Sequence, residues 1–366
     1  MTAEVKKNKE FSTIEFIRLI GSPFYERSTE RPSDDLLLSI YDRAFDDRVA
    51  PLYLHLFRYE GWHPELEEKY QNLLERQKMT QTVLVDLAKN LSQITLDEYV
   101  IMKSIKPYPA VPNDTDAVLF GGKKEFDNML QSLYDLGYVF HEWAPMQTTL
   151  CDKRGIGKIG KGKKGGVYYI DLYQDISTDY VCYLDKASIK PFVYSETING
   201  EVVQLLKPEV ELAIILFHNL FPERSYQLEH FYMPLYYLAK ADFDIELFLK
   251  FVKENHMDYA IRSNLTLIDD LHETCFGESP FVIKDLLIKM GRNEREAKRF
   301  SELGMQTPYM FSPRSFFATI WYKLADRAFV KSLFIQGLHM LNPVFFLDVV
   351  RSIRNRLSEY GTYHQE

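Results

Sequence analysis

Several things are scarce in this 366-residue chain, and each scarcity excludes something. It has only three cysteines, Cys151, Cys182 and Cys275, far apart and with no Cys-x-x-Cys pair. That rules out a thiolate zinc site and a disulfide framework, and it fits a reducing compartment. Apolar runs such as "LAIILF" fall far short of the ~20 residues that cross a bilayer. The opening "MTAEVKKNKE" is polar, without the apolar centre of a secretion signal. A cytoplasmic protein with no membrane partner is therefore expected. The nine histidines include no His-x-x-x-His metal spacing, and there is no internal repeat. Positive charge is also short: the formal net charge of −8 argues against a surface that coats nucleic acid as a whole, though not against a local basic groove.

What is present suits a globular protein, with 46% hydrophobic and 14% aromatic residues to fill a core. Residues 11–92 read as helices. In "HPELEEKYQNLLERQKMTQTVLVDLAKNL" apolar residues fall at Leu66, Tyr70, Leu73, Leu74, Val83, Leu84, Leu87 and Leu91, a helical stripe opened by Pro64. Residues 93–206 change character. "EYVIMKS", "TDAVLF" and "VYYIDLY" read as strands, and "GGKKEFDNMLQSLYDLGY" reads as a helix closed by Gly137. "FVYSETINGEVVQLL" reads as a hairpin around Asn199-Gly200. From 207 to 366 the pattern is helical again, beginning with "KPEVELAIILFHNLF". The aromatic stretch "SPRSFFATIWYKLADRAF" reads as core, and His218 as a packing histidine. The expectation is an α+β protein in three parts: an N-terminal helical region 1–92, an α/β core 93–206 and a C-terminal helical region 207–366.

The chemistry concentrates in the middle part. In "NDTDAVLF", Asp114 and Asp116 alternate along a strand and point to one side. Two carboxylates that close repel each other and lose hydration, and a divalent cation offsets both costs. In "YYIDLY", Asp171 stands between Ile170 and Leu172, where an unpaired charge is costly. Three carboxylates from two strands are what two-metal phosphoryl transfer requires, and magnesium or manganese suits such oxygen ligands. Upstream, Lys103 and the small Ser104 precede this strand, where a phosphate could approach the backbone.

A small turn, then Asp-x-Asp, then a lone strand Asp is similar to the pattern of the nucleotidyltransferase superfamily with the DNA polymerase beta-like fold. Within it, the chain resembles an uncharacterised bacterial and archaeal nucleotidyltransferase family with a helical N-terminal part. "YDRAFDDRVAPLYLHLFRYEGW", "YVIMKS", "DTDAVLFGGKKEFDNMLQSLYDLGYVF", "YYIDLY" and "GEVVQLLKPEVELAIILFHNLF" carry the resemblance, over about residues 35–240. It implies a nucleotidyltransferase-type mixed β-sheet core flanked by helices. It also implies NTP as substrate, ATP among the candidates, with an RNA, protein or small-molecule hydroxyl as acceptor. Asp114, Asp116 and Asp171 would be catalytic and metal-binding, and Lys103 and Ser104 nucleotide-binding. This chain departs from the family in having Ser104 for Gly, no Arg in "AVPN" before the Asp-x-Asp, and Tyr173 where His often stands. Two other classes fit an Asp-x-Asp: a metal-dependent glycosyltransferase, and a non-catalytic nucleotide- or partner-binding module.

"GIGKIGKGKKGG" (155–166) looks like an ATPase phosphate loop but lacks the Ser or Thr after Lys163, and a strand follows it instead of a helix. It reads instead as a basic arm. Lys158, Lys161, Lys163 and Lys164 would meet the triphosphate or an anionic acceptor, beside a plain reading as a solvated hairpin tip.

Overall fold

A computed structural model describes residues 11–25, 31–95, 99–112, 114–152, 168–343, 345–347 and 349. Four helices open the chain: α1 (Thr13–Ile20), α2 (Asp34–Asp46), α3 (Ala50–Phe57) and α4 (Pro64–Thr95). Local chemistry sets their starts. Ser12 and Glu15 form a reciprocal capping box on α1, and Ser33 caps α2 through the Leu36 N–H. Pro64 is the first residue of α4, where its missing N–H costs nothing. The stripe read from the sequence is buried along α4, except Leu74, which is exposed.

The middle of the chain builds one seven-stranded sheet. Its strands are β1 (Tyr99–Met102), β2 (Asp114–Leu119), β3 (Val139–Ala144), β4 (Gln147–Cys151) and β5 (Tyr169–Tyr173), with helix α5 (Lys123–Asp135) after β2. A separate short hairpin, β6 (Ile176–Thr178) and β7 (Val181–Leu184), leads through α6 (Lys186–Ile189) to β8 (Val193–Ile198) and β9 (Glu201–Leu206). The spatial order is β3-β4-β5-β2-β1-β9-β8. The β5/β2 and β1/β9 pairs are parallel and the others antiparallel, so the sheet is mixed. Asn199 and Gly200 both take positive φ in the β8–β9 turn, as a tight Asn-Gly hairpin requires.

Helices follow: α7 (Pro208–Leu220), then β10 (Ser225–Tyr226), α8 (Leu228–Leu238), α9 (Ile245–Glu254), α10 (Asp258–Phe276), α11 (Phe281–Met290) and α12 (Glu294–Glu302). Strand β11 (Tyr309–Met310) pairs with β10, and α13 (Pro313–Lys323) and α14 (Arg327–His339) complete the series. The protein is α+β, with helices on both sides of the sheet.

Alternation along the strands divides the core. Tyr99, Ile101, Ala117, Leu119, Ile170 and Leu172 pack with α5 and the later part of α4. Val100, Met102, Val118 and Tyr173 pack on the opposite face, toward α7 and the other helices. The period of two puts Asp114 and Asp116 on the face of Val118, and Asp171 on the face of Tyr173.

The aromatic stretch read as core is only partly so. Phe329 is buried and Phe316 packs against the core, but Phe317 is 65% exposed and Trp321 74%. The reason lies in α13, whose buried stripe is Ser315, Thr319 and Lys323. Ser315 donates to Glu296, and the Lys323 ammonium reaches the Asn255 carbonyl and Asp326. This polar stripe turns the aromatic one outward.

Candidate active site

Strand register brings the three aspartates together. On parallel neighbours β2 and β5, Asp116 and Asp171 are directly paired, and Asp114 stands opposite Tyr169. All three line a cavity of about 680 Å³ between the sheet and the C-terminal helices. That is ample for a nucleotide-sized ligand, since such pockets run to about 300–1,000 Å³. Asp116 is buried, while Asp114 and Asp171 keep partial contact with solvent.

Each acid is held by its own surroundings. The Asp116 backbone N–H donates to Ser104 Oγ at 3.0 Å, and Ser104 Oγ donates to the Met102 carbonyl at 2.9 Å. The Ser104 hydroxyl therefore ties the end of β1 to β2 beneath the Asp116 carboxylate. Thr149, opposite Asp171 on β4, donates to Asp171 Oδ1 at 2.6 Å.

Lys103 lies among these carboxylates. Its Nζ is 3.1 Å from Asp116 Oδ2 and 5.7 Å from the centre of the Tyr173 ring. Its backbone N–H donates to Glu211 Oε1 at 2.5 Å, at the start of α7. Lys103 adopts φ 57°, a left-handed conformation that costs a non-glycine residue roughly 1–2 kcal/mol. That single strained residue aims its amide at Glu211 and its ammonium at Asp116.

The electrostatics follow from burial and crowding. Desolvation, then repulsion from Asp116, raises Asp114 to about 7 against the pull of Lys103. Desolvation and Asp116 also raise Asp171, against the Thr149 and Gln147 hydrogen bonds. Burial works against the Lys103 charge, but Asp116, Tyr183 and Asp114 together hold its pKa above the ordinary lysine value. Glu211 is pushed up to about 7 by desolvation, opposed by the Lys103 amide. His218 Nδ1 lies 3.0 Å from the Tyr183 hydroxyl at the cavity wall, and burial lowers its pKa.

Lys103, Ser104, Asp114, Asp116 and Asp171 thus form one cluster. Lys158, Lys161, Lys163 and Lys164 lie outside the described residues. Sequence reading did not reach Thr149, Glu211, Arg48 or Lys106, the last two on the cavity wall. Thr149 is visible only once the β3–β4 hairpin is known. Glu211 carried a weak signal, an acid on a helix face otherwise apolar.

The donor chemistry of the three acids fits a hard divalent cation: all are oxygen ligands, mutually repulsive, with the Lys103 ammonium beside Asp116. They do not enclose one as they stand. Among the described residues, no three or more His, Cys, Asp or Glu side chains form a group that could hold a metal ion. Lys103 balances Asp116 in this arrangement.

No family model matches the chain. No curated protein matches it either. Among solved structures, an antigenic nucleotidyltransferase-like protein from Paracoccidioides brasiliensis is 16% identical, with 60% of this chain and 92% of that chain covered and a TM-score of 0.29. A likeness at that level carries no argument about this chain. No described helix is long and apolar enough to cross a membrane.

Proposed function

We propose that this protein is a nucleotidyltransferase, moving a nucleoside monophosphate from an NTP to an acceptor hydroxyl. The observation that carries the reading is the register of Asp116 against Asp171 on parallel strands, with Asp114 on the same face and one cavity before all three. In the reaction, the acceptor oxygen bonds to the alpha phosphorus and the bridging oxygen to the beta phosphorus departs as pyrophosphate.

Asp114, Asp116 and Asp171 would hold magnesium or manganese, which supplies charge neutralisation at the transferring phosphate. The residues do the rest. Ser104 fixes the Asp116 backbone, and Thr149 orients Asp171 toward the cavity. Asp171, whose pKa is raised, is suited to draw the proton from the acceptor hydroxyl. Lys103 would exchange its contact with Asp116 for a phosphate oxygen, and the basic 158–164 segment would meet an anionic acceptor such as RNA.

The test uses each NTP labelled at the alpha phosphate, with magnesium and either total RNA or cell extract. Label should reach an acceptor with the wild type and not with the Asp116→Asn, Asp171→Asn double variant. Absence of transfer from every NTP, with turnover of a nucleotide-sugar instead, would move the site to the glycosyltransferase class. Changing Lys158, Lys161, Lys163 and Lys164 to Ala should weaken acceptor use and leave NTP binding intact.

A further inference from the structure

The sequence offers no arginine just before the Asp-x-Asp, yet Arg48, Lys106 and Arg224 enter the same cavity from elsewhere, and the first two meet at one carboxylate. Arg48 comes from the turn between α2 and α3, at φ 60°. Lys106 comes from the segment after β1. Both face Glu229 in the first turn of α8: Lys106 Nζ lies 2.8 Å from Glu229 Oε1, and Arg48 Nη1 lies 3.8 Å from Glu229 Oε2. The turn carrying Arg48 is fastened to the start of α8, because the Glu229 N–H donates to the Asp47 carbonyl and the Leu228 N–H to the Asp47 carboxylate.

We propose that Arg48 and Lys106 form a polyphosphate-binding pole in this cavity, and that Glu229 is an internal competitor occupying it until the ligand arrives. The identity of that ligand as the tail of an NTP rests on the transfer reading; the pole itself does not.

Three observations carry it. First, the pole shares one cavity with the carboxylates: Arg48, Lys106, Asp114, Asp116 and Asp171 all line it. A ligand whose one end meets the aspartates can place its other end here. Second, donors remain for a ligand. The 3.8 Å separation of Arg48 from Glu229 exceeds hydrogen-bond length, and the Arg48 side chain is 56% exposed. A guanidinium fork matches phosphate geometry, and an ammonium has three donors of which one reaches Glu229. Third, where the two cations meet they share one carboxylate, Glu229, although Glu223, Arg224 and the aspartates also line the cavity.

A structural tether and a competitor differ in what Glu229 does. If the trio only braces α8, removing the Glu229 charge does nothing for anion binding. If Glu229 competes, its removal exposes both cations.

The probe is inorganic tripolyphosphate, titrated calorimetrically in EDTA so that no metal contributes. Wild type should bind it. Arg48→Ala should weaken binding by about tenfold, the scale of one charge-assisted contact. Glu229→Gln should tighten it several-fold, by about the same scale. Thermal melting checks each variant for folding; Arg48 is exposed enough that its loss should leave the melt unchanged. A Lys106→Met, Glu229→Gln pair removes both partners of this ion pair together and should also weaken binding relative to Glu229→Gln alone. Absence of tripolyphosphate binding, indifference to Arg48→Ala, or binding in Glu229→Gln no tighter than in wild type overturns the proposal. The transfer assay separates the two readings. Label transfer that survives Arg48→Ala unchanged overturns the pole and leaves the enzyme. Arg48-dependent tripolyphosphate binding without any transfer keeps the pole and removes the enzyme.

Discussion

Asp114→Asn should make this protein more stable, and the gain should grow with pH. Burial and Asp116 raise Asp114 from 3.8 to about 7 in the folded chain. The native state therefore binds that proton more tightly than the unfolded chain does. The stability it contributes is complete below pH ~3.8 and is lost as pH rises through about 7. A rise of about 3 units corresponds to roughly 4 kcal/mol of penalty once the group is ionised. Asp114 keeps some contact with solvent, which screens its charge, so about 2 kcal/mol is the working magnitude at pH 8.5. An asparagine carries no such penalty at any pH. Urea unfolding in EDTA, at pH 5 and 8.5, should show the variant ahead of wild type by a margin that widens by about 1 kcal/mol between the two. Magnesium should then stabilise wild type and leave the variant nearly unmoved, since a ligand of the native state stabilises by about 1.4 kcal/mol at ten times its Kd. A variant less stable than wild type at pH 8.5, or a margin flat across pH, would refute the electrostatic account. The same substitution should abolish transfer, so stability and activity would move in opposite directions.

Two further outcomes test the supports of the site. Ser104→Ala leaves the buried Asp116 N–H without its acceptor and should cost about 1–3 kcal/mol in urea unfolding; a change below about 0.5 kcal/mol would mean that the hydroxyl does not hold β2 in place. Thr149→Val removes a hydrogen bond that lowers the Asp171 pKa, so the acidic limb of the transfer pH profile should move to higher pH; an unmoved limb would detach Thr149 from the chemistry.

The aspartates were legible because strand alternation is a short-range rule: Asp114 and Asp116 share a face whatever surrounds them. That Asp171 sits opposite Asp116 is a matter of register between strands distant in the chain, and no local pattern encodes it. The long helices and the Asn-Gly hairpin were equally legible, being local. The β3–β4 hairpin was not. Its first strand is the sheet edge, with Val139, Phe140 and Trp143 all exposed, so it lacks the in-out alternation that marks a half-buried strand. Lys103 illustrates a third limit. Its place beside Asp116 depends on a left-handed backbone that lysine seldom adopts, and on a carboxylate from α7 far along the chain. Hydrophobic patterning misled at α13 because a buried Glu296 and the Lys323 ammonium attract polar partners inward, which composition does not reveal.

Helix α4 has a consequence for how the molecule comes apart. Its 32 residues span about 48 Å at 1.5 Å per residue. Leu66, Tyr70 and Leu73 near its start belong to the same core as the C-terminal helices, while Val83, Leu84, Leu87 and Leu91 belong to the core on the other side of the sheet. One continuous rod is thus embedded in both. Neither core can loosen without loading the hydrogen-bond ladder of the other, so the two should melt in a single transition. A nick in the middle of α4 would sever a shared beam, weakening both cores together.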